Sequence, residues 1–436
     1  MNIILLSGGS GKNLWPLSND IRSKQFIKLF RNDSGNMESM IQRIHRQISN
    51  VDRYVDIVVA TSKQQASTVI NQLGRNVGIS VEPERKDTFP AIALALEYLK
   101  CINHASPDEP VIICPVDIFV EDSFFETFKE IADFVSNHSG ITLLGTVPTE
   151  ASTRYGYITP ENDNAVSKVV SFTEKPNLIT AQRLIQNGSL WNAGISAFHL
   201  GYVAEIAEKL LDYSDYYDLY NKYGEVTPIG FEKAVLEKEK EIHVIRSHNT
   251  IKDLGTWDAL TSAMSDKVIG NGTIDRASED VYIINDMDIP ILAVDLKDVV
   301  ISASQQGILV SSKVESTDIG PFVDHLGQTV MFADKSWGTM KVLDVENDSM
   351  TIKLSLKAGK RMSYHSHENR DEVWMIVSGT GKTIVDGMEQ PVRSGDVITM
   401  EAGCRHTIMA ETDLDVIEIQ RGTDINVADK TKYDLE

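Results

Sequence analysis

The hydrophobic positions of the first 265 residues alternate between short apolar runs and longer segments of helical periodicity. The apolar runs predict buried strands, and the segments between them carry apolar residues on one helical face. Strands that alternate with helices favour a mostly parallel sheet covered by helices, with ligands at the carboxyl ends of the strands. The predicted strands are Ile3–Leu6, Asp56–Ala60, Val111–Cys114 and Ile141–Gly145, and the clearest helices are Ser62–Leu73 and Ala91–Leu99.

The pattern changes after residue 265 and again near residue 330. Between 270 and 325 the helical period disappears and short β-branched runs follow one another, which predicts a small β linker domain. From 330 to 436, alternating apolar residues separated by Gly-rich turns predict a small β-barrel. We therefore expect an α/β domain over 1–265, a β linker over 270–325 and a barrel over 330–436.

Composition narrows the function classes. A net charge of −21 argues against nucleic acid or an anionic membrane as partner, because there is no broad basic surface to attract phosphates. The three cysteines are too few for a disulfide framework or a cysteine-based metal site. Neither a signal peptide nor an apolar run of membrane-spanning length is evident, so we expect a cytoplasmic protein.

A glycine-rich turn, Ser7-Gly8-Gly9-Ser10-Gly11, directly follows the first predicted strand. Such a turn lets the backbone pass close to a ligand, and its N–H groups can face an anion. It is not a Walker A loop, because Leu6 stands where a Gly is needed and Asn13 where Ser or Thr would hold magnesium. It is not a dinucleotide fingerprint either, since Leu14 replaces the third Gly.

The residues after this turn are mostly basic, in a chain that is acidic overall. On glycine content alone an ordinary strand-to-loop turn is as good an interpretation as a phosphate loop. The local excess of positive charge favours the phosphate loop, since cations near backbone N–H groups bind phosphate. The basic residues are Lys12, Arg22, Lys24, Lys28 and Arg31, against the single acid Asp20.

The segment GGSGKNLWPLS, followed by SKQF, resembles the opening GGSGxRLWPLS…PKQF of the mannose-1-phosphate guanylyltransferases, which are sugar-nucleotide pyrophosphorylases. The resemblance implies a Rossmann-like, GT-A type nucleotidyltransferase domain with a mixed, mostly parallel sheet. It also implies that the loop binds a nucleoside triphosphate, although Asn13 replaces the family's arginine. The implied loop contacts are Gly8, Gly9, Ser10, Gly11, Lys12 and Asn13.

Two further motifs resemble the family's magnesium ligands. Asp117 lies in PVDIF, which is similar to the PADH-type motif, and Asp253 lies in DLGTW, which is similar to the DxGxW element. An Asp after a strand is by itself most often a turn or cap residue. The resemblance implies that Asp117 and Asp253 hold Mg²⁺ and that Lys24, from SKQF, offsets charge between the phosphates.

Sugar and base contacts are implied in the same way. Glu174 and Lys175 belong to an EKP motif, Asn192 to a WNSG-like element and Gly156 to a YGYI strand. The family's EPxxRNTAPAI appears as EPERKDTFPAI, which implies nucleotide contacts from three consecutive residues. A carboxylate at position 87 can accept the N–H groups of guanine, whereas Lys is not equivalent to the family's Arg. These three residues are Lys86, Asp87 and Thr88.

The segment 359–379, GKRMSYHSHENRDEVWMIVSG, fits the first cupin motif at every fixed position. The second cupin motif is met in part, at Gly395, Gly403 and His406. His365 and His367 are two residues apart on a strand and so point to one face. Together with Glu372 and His406 they form a set suited to zinc, manganese, iron or nickel.

The barrel resembles the cupin of two-domain relatives that interconvert mannose 6-phosphate and fructose 6-phosphate. His365 stands where those isomerases have Gln, and Thr407 where an Arg follows the last metal histidine. An isomerase and a structural or regulatory metal cupin therefore both stay open.

We expect a homo-oligomeric enzyme that makes an NDP-sugar, GDP-mannose first, and pyrophosphate from a nucleoside triphosphate, preferably GTP, and a sugar 1-phosphate. One alternative is an impaired sugar-phosphate-binding or regulatory protein, favoured by Asn13 and Lys86. The other is a cupin isomerase with a vestigial first domain. The β linker offers a surface for assembly.

Overall fold

The structure is a computed structural model that describes residues 1–9, 12–19, 22–247, 249, 251–313, 319–326, 331–422, 425–426 and 429–435. It contains two compact units, Met1–Gly11 with Ser23–Asp266 and Lys12–Arg22 with Lys267–Glu436. Among the described residues, no helix is long and apolar enough to span a membrane. The division into three domains stays a prediction.

The first unit alternates strands and helices as its sequence pattern predicts. Its strands are β1 (Asn2–Leu6), β2 (Lys28–Arg31), β3 (Met37–Ser39), β4 (Asp56–Ser62), β5 (Gly78–Glu82), β6 (Pro110–Pro115), β7 (Ile118–Phe119), β8 (Ile141–Thr146), β9 (Tyr157–Pro160), β10 (Val166–Thr173), β11 (Leu190–His199), β12 (Ile242–Ser247) and β13 (Lys252–Asp253). Its helices are α1 (Met40–Val51), α2 (Ala66–Leu73), α3 (Thr88–Cys101), α4 (Thr127–Asn137), α5 (Leu178–Gln186), α6 (Leu200–Leu211), α7 (Tyr216–Lys222) and α8 (Trp257–Ala263).

The central sheet of this unit has the order β5-β4-β1-β6-β11-β8-β12-β10-β9. Neighbours from β5 to β6 are parallel, as are β8 and β12, whereas β11 is antiparallel to both β6 and β8. Alternate residues of β1 pack into two hydrophobic clusters, Ile4 in one and Ile3 and Leu5 in the other. The predicted mixed, mostly parallel sheet with helices on both faces is therefore confirmed.

All four predicted strands are present, with bounds within two residues of the predicted ones. The predicted helix Ser62–Leu73 was too long at its start, because the helix begins at Ala66. Thr61 and Ser62 instead extend β4, where they pair with Val81 and Glu82 of β5. Pairing across the sheet satisfies their backbone groups and overrides the local helical period.

The second unit is mostly β-structure. The strands before residue 313 are β14 (Val268–Ile269), β15 (Gly272–Ile274), β16 (Tyr282–Asn285), β17 (Ile291–Ala293), β18 (Val299–Ser304) and β19 (Gly307–Ser312), and a short helix, α9 (Gly320–Val323), follows. The later strands are β20 (Phe332–Lys335), β21 (Gly338–Val345), β22 (Ser349–Leu356), β23 (Tyr364–Ser366), β24 (Arg370–Ser378), β25 (Thr380–Val385), β26 (Met388–Arg393), β27 (Val397–Met400), β28 (His406–Ala410), β29 (Leu414–Gly422) and β30 (Thr431–Tyr433).

The later strands form two antiparallel sheets, ordered β20-β21-β22-β29-β24-β27 and β26-β25-β28-β23-β30. One hydrophobic cluster joins them, since Ile352 and Trp374 of the first sheet pack with Val392 and Ile408 of the second. Two sheets around one core form the predicted cupin β-barrel. Its interior also contains polar side chains, which are described below.

Candidate functional site

The glycine-rich turn is held in place by the SKQF segment. Gln25 Nε2 donates to the Ser7 carbonyl at 3.0 Å, and Ser23 Oγ donates to the Gly9 carbonyl at 2.7 Å. Ser23 and Gln25 are both buried, so these bonds fix the backbone of the turn. Neither residue was among the predicted site residues, although the SKQF resemblance contained the signal. Of the predicted loop contacts, Ser10, Gly11 and the side chain of Lys12 lie outside the described residues.

Lys24, from the same segment, lies between two carboxylates. Its Nζ atom is 3.0 Å from Asp117 Oδ2 and 3.5 Å from Asp253 Oδ1. Burial lowers the pKa of Lys24, but Asp117 and Asp253 outweigh burial and leave this pKa above its ordinary value. The structure therefore brings together the three residues that the sequence predicted for catalysis.

Two short strands position the carboxylates. β7 pairs with β13 so that Asp253 lies opposite Ile118, and the Leu254 N–H donates to the Asp117 carbonyl at 3.4 Å. Asp253 Oδ1 is buried, and its 3.5 Å contact with Lys24 is too long for a good hydrogen bond. Two carboxylates that already face one cation offer the oxygen ligands that Mg²⁺ prefers. Asp117 and Asp253 thus fit a magnesium ion.

A cavity of about 270 Å³ adjoins these carboxylates. Gly156 gives it room, because a Cβ there would lie 2.7 Å from Glu174 Oε2 and 2.9 Å from Phe172 Cζ. Lys175 has a positive φ of 40° and its Nζ lies 3.2 Å from Glu174 Oε1. The cavity lining includes every residue predicted to contact sugar or magnesium: Asp117, Gly156, Glu174, Lys175, Asn192 and Asp253.

Four side chains of this cavity, Arg154, Tyr155, Trp191 and Glu232, were not among the predicted site residues. Tyr155 and Trp191 form an aromatic pair with ring centroids 4.6 Å apart, and the Arg154 guanidinium lies 5.9 Å from the Tyr155 ring centroid. Arg154 and Glu232 also line the cavity, and burial raises the pKa of Glu232. The signal for Arg154 was its place beside the YGYI strand. Glu232 had no local signal, because it reaches the cavity from a distant π-helical turn, Glu232–Leu236.

The residues predicted to contact the base also make structural contacts, and their role in base binding stays a prediction. Lys86 Nζ donates to the Gly224 carbonyl at 2.7 Å, and Thr88 Oγ1 accepts from the Phe231 N–H at 2.8 Å. Asp87 is the N-cap of α3, where Oδ1 accepts from the Thr88 N–H at 2.7 Å. These bonds tie the start of α3 to a distant segment. Asn13 lies in a short helix, Lys12–Leu14, of the second unit.

A buried acid that the sequence did not single out lies at the glycine-rich turn. Glu82, at the end of β5, is 4% exposed, and its Oε1 would be 3.7 Å from a Cβ on Gly8. Tyr223 donates its hydroxyl to Glu82 Oε2 at 2.9 Å. Burial raises the pKa of Glu82 to about 7, although Tyr223 and Arg85 lower it. Glu82 is the first residue of EPERKDTFPAI, the motif whose later residues were predicted to bind nucleotide.

The barrel of the second unit gathers the predicted cupin ligands. His365, His367 and His406 are buried, and their potential ligand atoms lie within 4.8 Å of one another. The Nδ1 atoms of these histidines contact the carbonyls of Ser363, Asp429 and Cys404, respectively. Because a carbonyl oxygen only accepts, each Nδ1 must carry the proton and each Nε2 is left with a lone pair, as in metal-binding histidines.

Glu372, the fourth predicted metal ligand, lies so close to His406 that a cation is needed between them. Its Oε2 atom is 3.2 Å from His406 Nε2, and both atoms are buried without a hydrogen-bond partner among the described residues. Two lone pairs at this distance repel each other unless a cation or a proton lies between them. On the other side, Arg370 donates to Glu372 Oε1 at 3.1 Å and to His367 Nε2 at 3.0 Å, so a metal bound at His367 would replace the second of these bonds. The four residues therefore fit a divalent transition metal.

Burial shapes the protonation of this cluster. It lowers the pKa of His365 to about 3 and that of His367 to about 4, although Glu372 opposes the change at His367. Neutral histidines are the form that binds metal.

Comparisons with known proteins match a different family in each part of the chain. Residues 2–268 match the nucleotidyl transferase family, and residues 325–434 match the mannose-6-phosphate isomerase C-terminal family. Two relatives named mannose-1-phosphate guanylyltransferase, from Salmonella montevideo and Escherichia coli strain K12, are each 25% identical to this chain over an alignment of 476 positions. Each alignment covers 99% of this chain; it covers 98% of the Salmonella protein and 97% of the Escherichia coli protein. The crystal structure named mannose-1-phosphate geranyltransferase, from Thermus thermophilus, shares the fold, with a TM-score of 0.61, 23% identity, and coverage of 74% of this chain and 98% of that one. The resemblance predicted from the sequence is confirmed.

Proposed function

The chain belongs to the nucleotidyl transferase family, and from this premise we propose that it makes an NDP-sugar and pyrophosphate from a nucleoside triphosphate and a sugar 1-phosphate. GTP and mannose 1-phosphate are the first candidates, because the full-length relatives are named mannose-1-phosphate guanylyltransferase. The observation that carries the proposal is the placement of Lys24 within 3.5 Å of both Asp117 and Asp253, beside a cavity lined by the predicted sugar contacts.

In the proposed reaction, an oxygen of the sugar 1-phosphate attacks the α-phosphorus of the triphosphate. A new P–O bond forms, the bond between the α-phosphorus and the bridging oxygen breaks, and pyrophosphate leaves with the electron pair. Glu174 and Asn192 orient the sugar, and Lys24 offsets the negative charge shared by the phosphates. Asp117 and Asp253 would hold magnesium, which when bound draws in the α-phosphate and stabilises its developing charge.

Replacing Lys24 by alanine tests this proposal. We expect Lys24→Ala to lower the rate of pyrophosphate release by about 10²–10³-fold, because it removes one charge-stabilising donor. Lys129→Ala is the matched control, since Lys129 is exposed on α4 and should leave the rate unchanged. Full pyrophosphate exchange by Lys24→Ala would contradict the assigned role.

A substitution at Asn13 distinguishes the proposed catalytic function from the regulatory alternative. The wild-type protein should release pyrophosphate from magnesium, an NTP and one of a panel of sugar 1-phosphates. A silent wild-type protein whose activity is restored by Asn13→Arg would instead mean that the domain has lost catalysis and binds its ligands for regulation.

A second activity is favoured by the buried cluster of His365, His367, His406 and Glu372. We propose that the barrel, holding zinc, manganese, iron or nickel, interconverts mannose 6-phosphate and fructose 6-phosphate. The unsatisfied atoms Glu372 Oε2 and His406 Nε2 support metal binding, and the match of residues 325–434 supports this substrate class. Formation of fructose 6-phosphate by the metal-loaded protein tests the proposal, and its absence with each of the four metals would leave a structural or regulatory cupin. Homo-oligomeric assembly and a cytoplasmic location stay predictions.

A further inference from the structure

The last described strand of the chain lies beside the three histidines of the barrel. β30 pairs antiparallel with β23, and Lys432 lies directly opposite His365. Directly opposed residues of an antiparallel pair project from the same face of the sheet. Lys432 therefore stands on the same side of the sheet as His365, and Lys430 lies two residues earlier, just before β30 begins.

Asp429 fixes the start of this strand. Its carboxylate accepts the N–H groups of Glu368 at 2.9 Å and Asn369 at 3.2 Å, and Arg370 Nη1 lies 3.3 Å from it. Its carbonyl contacts His367 Nδ1. Lys430 thus directly follows a residue that is bonded to a candidate metal ligand, so its position relative to the histidines is set by hydrogen bonds.

Lys430 is half-buried among charged groups of both signs. Burial lowers the pKa of Lys430 to about 8; Glu418 and Glu372 oppose this change, and Lys335 and Lys432 add to it. Burial and Lys432 also lower the pKa of Lys335. Grouping amines in a half-buried place is unfavourable in itself, and a bound anion would offset that cost.

Position 407 does not supply a cation to the histidines. Thr407 follows His406 on β28, and adjacent residues of a strand point to opposite faces. Thr407 is 1% exposed and donates its hydroxyl to the Met362 carbonyl at 2.8 Å. A side chain at this position therefore does not lie on the side of the histidines, whereas Lys432 does.

We propose that Lys430 and Lys432 bind the phosphate group of a sugar phosphate whose sugar end reaches the metal held by His365, His367 and His406. This inference rests on the proposed isomerase activity, since it assigns the residues that would hold that substrate's phosphate. Two amines supply up to two positive charges, which match the charge of one phosphate dianion.

Calorimetric titration of the manganese-loaded protein tests the proposal. The probes are fructose 6-phosphate, fructose and inorganic phosphate. We expect Lys430→Met to weaken fructose 6-phosphate binding at least about tenfold, with fructose binding unchanged, and Lys430→Arg to retain part of the affinity. Lys382→Met is the matched control, because Lys382 is on β25 and pairs with the exposed Glu389 at 2.8 Å. Unchanged fructose 6-phosphate affinity in Lys430→Met would overturn the proposal.

The outcomes distinguish this site from the isomerase activity. If the wild type binds phosphate and Lys430→Met does not, the anion site stands even when no isomerisation occurs. If the wild type isomerises and Lys430→Met has an unchanged KM, the anion site fails and the activity stands. A wild type that binds neither fructose 6-phosphate nor inorganic phosphate also overturns the site. Metal content and the thermal midpoint check each variant, and Lys432→Met, at an exposed position, decides the question if Lys430→Met does not fold.

Discussion

Glu82 shows how one residue connects stability with the nucleotide site. It is buried at the end of β5, beside Gly8, and its raised pKa of about 7 arises mainly from burial. A carboxylic acid with a higher pKa in the folded protein binds protons more tightly there than in the unfolded chain. Its contribution to the free energy of unfolding is therefore fully present below pH about 4.5 and is lost as the pH rises through about 7.

Glu82→Gln should remove this pH dependence. The amide keeps the shape of the side chain and can still accept the hydroxyl of Tyr223. We therefore expect the difference in stability between the variant and wild type to shift in favour of the variant from pH 5 to pH 8. The gain should be on the order of 1–3 kcal/mol, from the size of the pKa difference. Urea midpoints at the two pH values measure it, with the exposed Glu130→Gln as control. An equal stability difference at both pH values would contradict the prediction.

The same substitution tests the choice of base. We propose that Glu82, beside Gly8, also contacts the base, because a carboxylate accepts the N–H groups of guanine. The ratio of kcat/KM for GTP to that for ATP should fall in Glu82→Gln, since an amide offers one acceptor fewer. A ratio equal to that of wild type would rule Glu82 out as the base contact.

At the scale of the element, the short helix Lys24–Phe26 and its N-cap Ser23 combine two tasks. Ser23 and Gln25 hold the carbonyls of the glycine-rich turn, while Lys24, between them in sequence, faces the two carboxylates. The element therefore fixes the turn and the proposed catalytic cation in one rigid arrangement. Such preorganisation is what lets a charged group act without moving during the reaction.

Ser23→Ala tests this arrangement. Ser23 Oγ also accepts from Gln65 Nε2 at 2.5 Å, so the substitution leaves buried polar groups without partners and should destabilise the protein by about 1–3 kcal/mol. The KM for the nucleoside triphosphate should rise several-fold, because the turn at Gly9 is no longer held. Ser34→Ala, in an exposed turn, is the control. A lower thermal midpoint with an unchanged KM would mean that Ser23 supports the fold without positioning the turn.

At the scale of the whole molecule, each unit has its own core and its own candidate site. In the first unit the site lies beyond the ends of β1 and β6, where open α/β sheets place their ligands. In the second unit it lies inside the barrel, where histidines on β23, β28 and the turn after β23 converge. Metal binding to the barrel should therefore stabilise the barrel itself, since the ligands come from separate strands.

Removing metal tests this coupling. After treatment with a chelator we expect a lower thermal midpoint and faster amide exchange in β23, β24 and β28, and added manganese should reverse both changes. At a metal concentration of about 100 times Kd the stabilisation is about 2.7 kcal/mol. His406→Ala should not respond to metal, whereas His325→Ala, at an exposed position, should respond like wild type. Unaltered exchange in the wild type would show that the cluster holds no stabilising metal.

The sequence by itself determined the elements and their chemistry. Apolar periodicity located β1, β4, β6 and β8, because burial on both faces leaves a continuous apolar run. Motif spacing identified the cupin histidines, although His367 was wrongly expected on the same strand as His365: β23 ends at Ser366 and His367 lies in the turn after it. Both are local signals, which is why they could be read without the fold.

Only the tertiary structure decided which motifs meet. It placed Lys24 between Asp117 and Asp253, turned Lys86 toward Gly224, and set Glu82 against Tyr223, 141 residues away. It also fixed the register of β30, which places Lys432 opposite His365. These contacts depend on strand order and register, which arise from the packing of the whole domain and leave no trace in the local pattern of residues.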